Sequence, residues 1–100
     1  MTTDRELIEA AMDALRDASA TVAQLTWHLR WNKGLPVDAT RLHRLLNLAA
    51  SWGCVRRVRV FGCRRLGWEA VCKVPPEAFS AAGTMRRREI EVTKAKGETP

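Results

Sequence analysis

The stretch DATRLHRLLNLAASWGCVRRVRVFGCRRLGWEAVCKV, from Asp38 to Val74, changes its period in the middle. Asp38 is a good N-cap residue. Leu42, Leu45, Leu46, Ala49 and Trp52 then recur at three- and four-residue steps until Gly53, a glycine suited to a helix C-terminus. A helix with one buried face is predicted. Beyond Gly53 the spacing drops to two: Val58 to Phe61 alternates, Gly62 to Gly67 supplies turn residues, and Trp68 to Val74 runs back. This predicts a hairpin with its turn centred between Arg64 and Arg65 and Phe61 facing Trp68 across the strands. Arg57 and Arg59 are expected on one face of the first strand, with Val58 and Val60 on the other. One face would meet the core and the other a partner.

Two further helices are predicted upstream. Thr3 and Glu6 form a capping box before Leu7, Ile8, Ala11, Met12, Leu15 and Ala18, a helix of about fourteen residues with an acidic outer face. Thr21 and Gln24 form a second box, with Val22, Leu25 and Leu29 on one stripe. Asn32 to Pro36 ends this shorter helix. One hundred residues with 46% apolar content make one folded domain with a modest core. That domain is expected over residues 1–76. Residues 77–100 are expected to form a basic, flexible extension: a short helical turn from Glu77 to Gly83, then a tail from Thr84 that is flexible or else a strand or helix that orders on a partner.

Helix, helix, turn, helix and hairpin is the order of a winged helix-turn-helix domain, an α+β fold. Thr21 to Leu25, followed by Gly34 to Val58, resembles the second helix, recognition helix and first wing strand of MarR-like and related bacterial or phage regulators. The matching features are the capping Thr21, the Gly34-Leu35 turn, the Leu42/Leu46 spacing and Gly53-Cys54-Val55-Arg56-Arg57. The resemblance covers roughly residues 20–74. The chain departs from the pattern by inserting Arg30 to Lys33 before Gly34. That predicts either a longer second helix or an enlarged turn. The resemblance implies a third helix in the major groove and a wing on phosphates or the minor groove.

Charge agrees with that implication. The net charge is +6, and all of the excess lies in residues 54–100, an asymmetry that points to nucleic acid or another anionic surface. The expected DNA contacts on the third helix are Thr40, Arg41, His43, Arg44 and Asn47. Those on the wing are Arg56, Arg57, Arg59, Arg64 and Arg65, where the planar guanidinium suits phosphate. Arg86, Arg87 and Arg88 are expected to contact phosphates from the tail. The bland alternatives are a helix's wet face and a solvated sheet edge. Trp27 and Trp31 lie opposite the apolar stripe of their helix. They are expected at a partner or dimer surface, unless the first helix or the tail folds over them.

Other classes find little support. No Ser/His/Asp pattern, glycine-rich phosphate loop or HExxH is present, so no enzyme and no cofactor are expected. Three cysteines without a CxxC read as small apolar fillers, and no metal site is expected. No apolar run of membrane-spanning length occurs, and the N-terminus lacks a signal-like core, so a cytoplasmic protein is expected. The expected function is sequence-specific binding of double-stranded DNA in transcription regulation, with a homodimer as one arrangement. The main alternative is an interaction domain or phage-type inhibitor that docks on a protein. A weaker one is binding of RNA or single strands through stacked aromatics.

Overall fold

The computed structural model describes residues 2–88. Helices α1 (Asp4–Asp17), α2 (Val22–Trp31) and α3 (Ala39–Ser51) are followed by an antiparallel hairpin of β1 (Val55–Arg59) and β2 (Leu66–Ala70). The arrangement is α+β. Among the described residues no helix is long and apolar enough to cross a membrane.

Local chemistry accounts for the helix ends. Both capping boxes close: the Thr3 hydroxyl accepts from Glu6 N–H at 3.2 Å, and the Thr21 hydroxyl accepts from Gln24 N–H at 3.2 Å. The Asp38 carboxylate accepts from Arg41 N–H at 2.7 Å at the start of α3. At the end of α3, Cys54 N–H donates to Ala49 O and Gly53 N–H to Ala50 O, the paired bonds of a Schellman motif. That motif needs a left-handed residue at Gly53, whose φ is 75°. The inserted Arg30 and Trp31 lengthen α2, while Leu35 N–H reaches back to Leu29 O at 2.9 Å to close the turn.

The hairpin register differs from the expected one. Arg57 pairs with Trp68 and Arg59 with Leu66, so the loop is centred between Gly62 and Cys63. Phe61 does not face Trp68; it stands fully exposed in the loop. A turn from Val60 to Cys63 closes by Cys63 N–H to Val60 O at 3.0 Å, with Gly62 at φ 80° in its third position. The face assignment is also corrected. Arg57 shares its face with the core residues Val55 and Trp68, and its guanidinium carbon lies 4.8 Å from the Trp68 ring centroid. Arg56 is on the opposite face, bonded to Glu69.

A third piece of extended chain completes the sheet. Trp68 N–H donates to Ala20 O at 2.8 Å and Ala20 N–H to Trp68 O at 3.1 Å, so the link between α1 and α2 pairs with the free edge of β2. Gly67 makes this approach possible, because a Cβ there would lie 2.4 Å from Ala20 O and 2.3 Å from Val60 Cγ2.

The core gathers Leu7, Ile8 and Met12 from α1, Leu25 and Leu29 from α2, Leu42, Leu45 and Leu46 from α3, and Trp68 from β2. Trp52 is only partly buried at its edge. The chain after Pro76 joins this core as far as it is described. Ala78, Phe79 and Met85 are buried, Phe79 and Met85 bridge one another, and Arg5 N–H donates to Gly83 O at 2.9 Å. A 3-10 turn at Pro76–Ala78 stands where a helical turn is expected, and two large apolar side chains and the N-terminus of α1 hold residues 77–88 where a flexible extension is expected. Residues 89–100 of the expected tail lie outside the described residues.

Cys54 and Cys72 sit at the root of the hairpin and Cys63 in its loop. Cys54 is a fully buried filler, Cys63 is half-buried and Cys72 is exposed. Burial, with the neighbouring Cys72 adding to it, pushes the Cys54 thiol up from 9.0 to about 11. The folded protein then keeps this proton where the unfolded chain loses it. The associated stability is complete below pH 9 and is lost as pH rises toward 11. Urea midpoints at about pH 8 and about pH 10.5 should fall less in Cys54→Ala than in the unaltered protein. Equal falls would refute this role for the thiol.

Candidate functional site

The outward side of α3 is one wall of an open groove of ≈ 530 Å³. Thr40, His43, Arg44 and Asn47 supply that wall, Val22 and Ala23 at the start of α2 supply the second, and Arg65 of the hairpin loop closes one side. The groove exists because Thr21 caps α2 beside the sheet and because residues 22 and 23 are small enough to leave space. A smaller, more enclosed extension of ≈ 300 Å³ continues under the hairpin past Arg57, Leu66 and Trp68. Val22 and Ala23 carried no signal of their own in the sequence, since apolar residues in a helix's first turn read as ordinary packing.

Four of the five α3 residues expected to act together do share this wall. Arg41 does not. Its guanidinium donates to the Asp4 carboxylate at 2.9 Å and to Thr2 O at 3.1 Å, on the side of α3 facing α1. Asp4 is almost fully buried, lies 3.9 Å from the Arg44 guanidinium and accepts from Met85 N–H at 3.0 Å. An unpaired carboxylate in that position would be costly, so Arg41 is drawn toward it. His43 is exposed, with its ring edge-on to Trp68 at 6.4 Å between centroids.

The hairpin arginines separate into three groups. Arg57 and Arg65 line the groove and its extension. Arg57 covers the Trp68 ring, whose buried Nε1 has no hydrogen-bond partner among the described residues. Arg59 and Arg64 are exposed and make no ion pair among the described residues. Arg56 is turned away and neutralised by Glu69.

Trp27 and Trp31 are 60% and 69% exposed. Neither α1 nor the described C-terminal segment covers them. They lie one and two turns beyond Ala23 along α2, so the groove leads onto an aromatic surface. Arg86, Arg87 and Arg88 are exposed at the far end of α3, where Arg88 N–H donates to the Ser51 hydroxyl at 3.0 Å. Among the described residues no group of three or more His, Cys, Asp or Glu side chains is placed to hold a metal ion. Comparison of the chain with protein-family models, curated proteins and solved structures gives no match.

Proposed function

We propose that the chain is a winged helix-turn-helix protein that binds double-stranded DNA sequence-specifically and acts in transcription regulation. The observation that carries this reading is the shared groove. Thr40, His43, Arg44 and Asn47 project from one helix beside Arg65 of a hairpin whose exposed Arg59 and Arg64 make no ion pair among the described residues. The Ala20 pairing with β2 favours the same fold, because it supplies a short first strand between α1 and α2. In this reading α3 enters the major groove, where Arg44 suits guanine and Asn47 suits adenine. The hairpin grips phosphates through Arg57, Arg59, Arg64 and Arg65. Arg41 braces α3 against α1 and reads no base.

Fluorescence anisotropy with random-sequence duplex DNA across a salt series tests it. The expected result is micromolar binding whose log affinity falls with log salt by about 0.9 for each phosphate neutralised. Absence of binding at about 50 mM salt would overturn the reading. A protein-docking role is the second reading, favoured by the exposure of Trp27 and Trp31. It predicts a bound partner that protects those tryptophans and ignores the hairpin charges.

A further inference from the structure

The outward row of α3 does not end freely. At 3.6 residues per turn, Thr40, Arg44, Asn47 and Ser51 fall within about 60° of one another, with His43 to one side and Arg41 and Leu48 to the other. His43 meets Trp68 of the hairpin, while Arg41 meets Asp4 of α1. The hairpin therefore flanks the row on one side, and α1 with the C-terminal segment flanks it on the other.

That segment is anchored at both ends of its three arginines. Upstream, Met85 is buried and its N–H donates to the Asp4 carboxylate at 3.0 Å. At the first arginine, the Trp52 indole N–H donates to Arg86 O at 2.8 Å. Arg88 N–H donates to the Ser51 hydroxyl at 3.0 Å, and that hydroxyl donates to Leu48 O at 2.6 Å. The Arg88 guanidinium lies 5.9 Å from the Trp52 ring centroid. Arg86 is partly engaged, its Nε donating to Glu77 O at 3.2 Å, whereas Arg87 is exposed and makes no side-chain bond among the described residues. A backbone held this firmly is already ordered before binding, so only the side chains have to be immobilised.

We propose that Arg86 to Arg88 form a second phosphate clamp, on the flank of α3 opposite the hairpin, with Trp52 as its positioning residue. The inference rests on the DNA-binding reading. From Thr40 to Ser51 the helix runs about 16 Å, against a major groove about 12 Å wide. The hairpin and the C-terminal arginines thus reach phosphates on different sides of the groove that α3 occupies. Two independent grips also fix the angle of α3 in the groove, which one grip cannot do.

The test uses the full-length protein with random-sequence duplex DNA, comparing Arg87→Gln/Arg88→Gln, Arg64→Gln/Arg65→Gln and the four-site combination. Each pair should lower the salt slope by about 1 to 2, and the two losses should add in the combination. Thermal melting should stay near that of the unaltered chain, since Arg87 makes no side-chain bond among the described residues and Arg88 keeps its backbone bond to Ser51, losing only the contact of its guanidinium with Trp52. Trp52→Phe retains the ring but loses the indole N–H, and should reproduce part of the Arg87/Arg88 loss without reducing the charge. An unaltered slope in Arg87→Gln/Arg88→Gln, or losses that fail to add, would overturn the clamp while the DNA-binding reading stands. No binding by the unaltered chain would overturn both.

Discussion

Gly67→Ala should destabilise the fold by about 4 kcal/mol or more, a loss placed among the exceptional single substitutions and comparable to the whole stability of a marginal domain. The reason is steric. A Cβ at this position would sit 2.4 Å from Ala20 O and 2.3 Å from Val60 Cγ2. Val60 could rotate, but Ala20 O is backbone and is held by Trp68 N–H at 2.8 Å. Relief requires the α1–α2 link to part from β2. That breaks both Ala20–Trp68 hydrogen bonds and loosens Trp68, a fully buried core side chain. Gly62→Ala is the control: its φ of 80° is strained for alanine, but nothing lies within 4 Å. It should cost only about 1 to 2 kcal/mol. Urea denaturation of both variants measures the difference. Equal and small losses would show that Ala20 and β2 do not pack as described.

The same contact explains what could and could not be read from the residues. Helix limits depend on neighbours three or four positions away, so Thr3–Glu6, Thr21–Gln24 and Asp38 marked the starts of α1, α2 and α3 within the sequence itself. The hairpin register depends on residues far apart. Two glycines bracket the arginine pair and suggested a turn at Arg64–Arg65. The turn instead falls at Phe61–Gly62, because Gly67 must be inside the sheet to admit Ala20. Arg41 looked like one more outward cation until Asp4, in the first turn of α1, came within 2.9 Å of it. The C-terminal segment was hidden by composition. Phe79 stands alone among small residues and Met85 beside three arginines, and their pairing depends on the turn between them.

Charge reversal in the hairpin loop carries the largest expected effect on binding. Arg64→Glu/Arg65→Glu should weaken affinity for duplex DNA of any sequence by roughly 100-fold at about 50 mM salt. That figure follows from losing about two phosphate contacts, each contributing a salt slope near 0.9. The slope itself should fall by about 2. Both side chains are exposed and in no ion pair among the described residues, so the fold should tolerate the change. Arg57 is a poorer choice, since it covers Trp68 and its loss would also disturb packing. The effect should be uniform across sequences, because phosphate contacts position the protein and carry no base information. Asn47→Ala should behave differently, with weaker discrimination between sites and an unaltered slope. The competing outcome is equally definite. If Arg64→Glu/Arg65→Glu binds its partner normally while Trp27→Ala/Trp31→Ala does not, the surface that matters is the aromatic end of α2. The arginines would then serve only to keep a two-stranded edge soluble and unpaired.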